Sequence, residues 1–82
     1  MKISISPGDM VLAKKHLCLY EKESLYSGIS YVFKDNSLLV IAVKMDDTQV
    51  SLYVMSSKSG QLGWTNVVRP RFYDYFSVLA PA

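Results

Sequence analysis

His16 and Cys18 stand two residues apart, the spacing that sets both on one face of a β-strand. A thiol beside an imidazole is the pairing used in covalent catalysis, where the imidazole acts as base and the sulfur as nucleophile. No pattern in the chain supplies a third group to orient the imidazole. Cysteine is among the most buried residue types, so a core thiol beside a surface imidazole is the favoured reading. Asp46 and Asp47 could in principle share acid and base roles. Neighbours in a tight turn point apart into solvent, and the pair reads as turn-forming. With one cysteine and one histidine the chain cannot build a structural zinc site or an internal disulfide, and it has no phosphate-binding glycine loop. A non-catalytic protein without metal or cofactor is expected.

Binding is the other chemistry on offer. The segment VVRPRFYDYF, residues 67–76, interleaves Arg69 and Arg71 with Phe72, Tyr73, Tyr75 and Phe76. Small barrels hold single-stranded nucleic acid on exposed aromatics of this kind within a basic groove. In a strand, Phe72, Asp74 and Phe76 would share one face and Tyr73 and Tyr75 the other, so much of the aromatic content would build the last strand. The net charge of +2 is also small for a nucleic-acid binder.

The elements that must position these residues are short strands. Pro7-Gly8-Asp9 precedes a strand over 10–14, residues 34–37 separate 29–33 from 38–44, and Asp46-Asp47 leads into 49–55. Residues 38–43 are apolar on both faces, as in a strand bent between two packed layers. Val50, Leu52 and Val54 alternate with Gln49, Ser51 and Tyr53, which would place Tyr53 on a solvent face. Lys58-Ser59-Gly60 makes another turn, 62–67 a strand that Pro70 interrupts, and 75–79 the last strand. Five to six strands with no substantial helix read as an all-β, small antiparallel barrel. In such a barrel Gly60 would supply a positive-φ turn and Gly63 a close backbone approach. Trp64 would cover one mouth as a largely structural lid, its edge left for a ligand.

The order of segments resembles the SH3 fold. Residues 18–21, Cys-Leu-Tyr-Glu, look like the Ala-Leu-Tyr-Asp start of SH3 domains. Residues 29–47, ISYVFKDNSLLVIAVKMDD, are similar to their LSF-x-x-GD-x-L-x-V segment with its acidic turn. Gly60-Gln61-Leu62-Gly63-Trp64 matches the G-x-x-G-W of bacterial SH3-like domains. The resemblance covers about residues 17–68, with 1–16 and 69–82 as flanking strands of a single domain over 1–82. It implies a groove between aromatic side chains of the sort that holds proline-rich peptides. Tyr20 matches the first groove tyrosine, but Lys22 falls at the second, Gln49 or Val50 at the ligand tryptophan, and Val67 or Val68 at the final tyrosine. Trp64 stands one place beyond the groove proline. These departures point away from the usual proline-peptide mode.

The function expected is a stand-alone protein-interaction module, an adaptor or inhibitor acting in trans, compatible with a phage or other mobile element as source. Its protein-binding residues would be Tyr20, Tyr53, Trp64, Arg69, Arg71, Tyr73 and Tyr75. The alternative is a small barrel that binds single-stranded nucleic acid. Ten aromatics (one Trp, six Tyr, three Phe) in a chain that buries only about 60 to 65% of its unfolded surface imply a surface patch, hence a homodimer or a dedicated protein interface. No secretory signal or membrane-spanning run is visible, and a cytoplasmic, reducing setting fits the lone cysteine.

Overall fold

A computed structural model describes residues 2–21 and 28–82, with 28–30 by their backbone alone. Seven antiparallel strands, against the five to six expected, form one curled half-barrel: β1 (Met10–Ala13), β2 (Leu17–Tyr20), β3 (Gly28–Val32), β4 (Ser37–Met45), β5 (Gln49–Ser56), β6 (Leu62–Val68) and β7 (Phe76–Ala80). Their order in the sheet is β3-β2-β6-β5-β4-β1-β7. The fold class is thus all-β. Among the described residues no helix is long and apolar enough to cross a membrane.

Period-two patterning sets which side faces inward. Val11 and Ala13, Leu17 and Leu19, Leu38 and Val40, and Val50, Leu52 and Val54 all point into the concave core and are almost fully buried. The doubly apolar stretch of β4 has a local cause. The β4–β5 register slips between Val40 and Ala42, leaving Ile41 as an exposed extra residue. That bulge reverses the parity of the rest of β4, so Val43 packs against the core although it lies an odd number of positions from Val40. It also bends β4, letting one strand pair with β1 at one end and β5 along its length.

The β4–β5 turn is built by Asp46. Its Oδ1 accepts the N–H of Thr48 (2.7 Å), the N–H of Gln49 (2.7 Å) and the Thr48 hydroxyl (2.9 Å). These bonds, the two backbone ones foremost, hold the Asp46 carboxyl below its ordinary range, with Arg69 adding a weaker pull. A carboxyl depressed on folding contributes stability that is complete above its unfolded pKa and is lost as pH falls through its folded one. Asp46→Ala should therefore melt below the parent at neutral pH, and the gap should close in acid. Melting curves across that range test this, and a gap of equal size in acid would refute it.

The segment after β6 departs from expectation. Residues 69–75 are helical, a 3-10 turn over Arg69–Arg71 followed by one α-turn over Phe72–Tyr75, and only from Phe76 does the chain extend again. Pro70 explains the switch, since its fixed φ suits the start of a helix and not a strand interior. Phe72 and Phe76 share a side as a strand would also have them, both fully buried with ring centroids 5.2 Å apart, but the change of period turns Asp74 out to solvent with Tyr73. Phe72 and Asp74 thus do not share a face.

Near the start of the chain, buried Asp9 ties two segments together. Its Oδ2 accepts the Ser6 N–H at 2.9 Å and its Oδ1 the Ala82 N–H at 2.7 Å.

Candidate functional site

The parity of β6 decides where Trp64 lies. Gly63, Thr65 and Val67 are buried on the concave side, so Trp64 and Asn66 point outward, where both are half-buried. Trp64 is therefore not the lid of the barrel mouth; the helical turn with Phe72 fills that interior instead. The two glycines do behave as their spacing implies. Gly60 has φ +73°, and a Cβ on Gly63 would stand 2.7 Å from the Leu19 Cβ, so only glycine lets β6 come this close to β2.

Cross-strand register assembles an aromatic row on the outer face. Tyr20 of β2 pairs with Trp64 of β6, which pairs with Tyr53 of β5. The Tyr53 and Trp64 rings lie 5.1 Å apart at 44°, and the Lys44 ammonium stands 5.7 Å over the Trp64 ring. A second row runs beside it, because Lys44 pairs with Ser51 and Ser51 with Asn66.

A groove of about 340 Å³ adjoins these rows. Its walls are His16, Leu17, Cys18 and Tyr20 on one side and residues 65–68 on the other, with Arg71 and Tyr75 closing one end. Tyr20 belongs to both row and groove. Two cations approach the Tyr75 ring, the Lys15 Nζ at 5.0 Å and the Arg71 Cζ at 6.0 Å from its centroid. Arg71 also meets Asp74 through Nε at 3.3 Å, with both side chains more than half exposed. The hydrogen bond between Tyr20 and the Cys18 side chain raises the phenol above its ordinary pKa.

His16 and Cys18 both line the groove, each with partners of its own. The His16 Nδ1 accepts the Lys34 N–H at 3.0 Å, and its ring meets Phe33 edge-on at 5.5 Å. Cys18 is half-buried on the outer face, not in the core, and its sulfur donates weakly to its neighbour's carbonyl, Leu19 O, at 3.7 Å.

Of the residues singled out from sequence, Tyr20, Tyr53 and Trp64 form the outer row, and Tyr20, Arg71 and Tyr75 line the groove. Arg69 does neither. Its guanidinium donates to Asp46 O at 2.9 Å, bracing the β4–β5 turn. Tyr73 is also elsewhere, its hydroxyl accepting the Ser4 N–H at 3.1 Å and its carbonyl the Lys14 ammonium at 2.8 Å. Lys22 lies outside the described residues. Sequence reasoning counted Lys15, with Lys14, only as added positive charge and passed over Lys44 and Asn66. Lys44 could have been found from the register of the Asp46 hairpin, which fixes what stands opposite Ser51. Asn66 gave no local signal.

The fold and this face define a small all-antiparallel β half-barrel with an aromatic, cation-rimmed outer surface. Compared with protein-family models, with curated proteins and with solved structures, the chain matches none.

Proposed function

We propose that this protein is a non-catalytic, SH3-like protein-interaction module, acting in trans as an adaptor or inhibitor. The observation that carries the reading is the continuous row Tyr20–Trp64–Tyr53 running into a groove, a half-buried aromatic surface of the type that anchors protein partners. Two further features support the SH3-like part. Tyr20, the residue that the resemblance assigns to a peptide groove, lines the groove between β2 and β6. The strands β4, β5 and β6 also follow one another as hairpins with an acidic turn at Asp46 and a glycine turn at Gly60, the order the resemblance implies.

The rival reading, a single-stranded nucleic-acid binder, leans on Arg69 and Arg71. Both already have partners, Asp46 O and Asp74. If they neutralised two phosphates, the Arg69→Ala/Arg71→Ala double variant would lower the slope of log affinity against log salt by about 1.4. We expect labelled single-stranded DNA and RNA to bind weakly, with no such change. Sub-micromolar, salt-steep binding abolished in the double variant would replace the protein reading with the nucleic-acid one.

The direct test is selection of random peptides displayed on phage against the parent protein, with counter-selection on Trp64→Ala. Peptides that bind the parent and lose the variant are expected. Selected peptides that hold both equally would remove the aromatic row from the function.

A further inference from the structure

We infer that a second binding site lies where the β3–β4 and β5–β6 turns meet, and that it takes a small aromatic acid, a planar ring bearing one carboxylate. This goes beyond the protein-interaction reading and does not rest on it. A cavity of about 330 Å³ opens there, lined by Tyr31, Phe33, Asn36, Ser56, Lys58 and Ser59, and none of these residues is a wall of the groove between β2 and β6. Its volume falls within the range of small-molecule sites.

The walls divide by chemistry. Val32 is buried, so its neighbours Tyr31 and Phe33 both turn outward, about 6.6 Å apart along the chain. They are 72% and 59% exposed, the largest exposures among the described large hydrophobic residues. Two neighbouring rings offer an apolar platform against which a third packs stacked or edge-on. The remaining walls donate hydrogen bonds. Ser56 is only 3% exposed, and its hydroxyl oxygen accepts the Ser59 N–H at 3.5 Å, while the Ser59 hydroxyl oxygen accepts the Gln61 N–H at 3.2 Å. Neither bond uses the hydroxyl hydrogen, so both serines keep a donor for an occupant. Asn36 adds an amide, and Lys58 an ammonium on a flexible four-carbon stem. Among the described residues neither of these two groups is held by a hydrogen bond or ion pair. Several donors and one positive charge beside an apolar platform select an acceptor with one negative charge, carried on a ring. A cationic ring would instead meet the lysine.

The test follows the backbone amide signals by NMR while three probes built on one ring system are added: naphthoate, neutral naphthalenemethanol and cationic naphthylmethylammonium. We expect naphthoate to shift signals of residues 31–37 and 56–61 and to bind about tenfold more tightly than the alcohol, the worth of one charge-assisted hydrogen bond, with the ammonium weakest. Lys58→Ala should erase the preference for the acid, and Phe33→Ala should weaken all three probes. Both side chains are exposed, so both variants should keep the parent's melting temperature. The same ring and carboxylate are also presented by an aromatic residue at a chain's C-terminus. A short peptide ending in a free tryptophan carboxylate, run beside its amidated form, separates the sources: preference for the free terminus assigns the site to a chain end, and binding of naphthoate but of neither peptide assigns it to a free acid. Shifts confined to other parts of the surface, equal binding of the three probes, a preference for the acid that survives Lys58→Ala, or no shifts at millimolar naphthoate would overturn the site. The protein-interaction reading, which is tested by peptide selection on Trp64, stands apart from all of these outcomes.

Discussion

Phe72→Ala is expected to destabilise the protein by about 3 to 5 kcal/mol, the usual cost of emptying a fully buried phenylalanine site. Phe72 has no exposed surface, lies 5.2 Å from the Phe76 ring and meets Tyr73 edge-on at 5.0 Å. It is the side chain through which the helical turn Arg69–Tyr75 enters the barrel, so its loss leaves a cavity and frees the turn at once. A chain of 82 residues has a total stability of roughly 4 to 12 kcal/mol, so the substitution should remove about a quarter of it or more. Thermal melting should show a fall of about 12 °C or more. Tyr73→Ala, one position along and solvent-facing, is the control and should cost far less. A Phe72→Ala loss below about 1 kcal/mol would mean that the turn does not plug the core.

Trp64→Ala should separate binding from stability. An interior lid would carry the same cost of about 3 to 5 kcal/mol as Phe72, whereas a half-buried tryptophan on the outer face, touching Tyr53 and Lys44, should cost about 1 to 2 kcal/mol of stability. Binding should suffer more. An aromatic anchor at the centre of an interface contributes about 2 to 4 kcal/mol on truncation, or roughly 30- to 1000-fold in affinity. Anisotropy with a selected peptide, set beside melting curves for the same two proteins, measures both quantities. A large drop in melting temperature with affinity little changed would return Trp64 to a structural role.

The positions where the sequence was readable share a physical cause. Period-two alternation in β5 and the Asp and Gly turn chemistry are local, and local signals survive without knowledge of the tertiary structure; the turns at Asp46 and Gly60 and the solvent face of Tyr53 lie where the pattern puts them. The glycine at position 63 was legible for the same reason. Three features were not. The segment 69–75 has the aromatics of a strand, and one proline outweighs them by fixing the start of a helical turn. The side on which Trp64 falls depends on which parity of β6 meets the core, and a one-residue difference flips every side chain to the opposite face. The groove is the hardest case, because its walls come from chain segments some fifty residues apart and only the pairing of β2 with β6 brings them together. Arg69 and Tyr73, which lie elsewhere, belong to the misread segment, but so do Arg71 and Tyr75, and only Tyr53 sits on a strand whose alternation was clear.

The pairing of β2 with β6 also sets how the groove can work. Among the described residues these strands share one register pair, Tyr20 with Trp64, whereas β5 is paired along nearly its full length on both sides. The hairpin of β2 and β3 is thus the least firmly attached part of the sheet, held by Leu17, Leu19 and Val32 in the core more than by its backbone. It should open as a cooperative unit ahead of global unfolding, so its amides should exchange with deuterium faster than those of β4, β5 and β6. Because that hairpin forms one wall of the groove, a ligand that needs both walls binds only the closed population, and measured affinity equals intrinsic affinity scaled by the closed fraction. Substitutions that pin β2 to β6 without touching the ligand would then tighten binding, and ligand would in turn slow exchange in β2. Recognition and local folding would become two readings of one equilibrium.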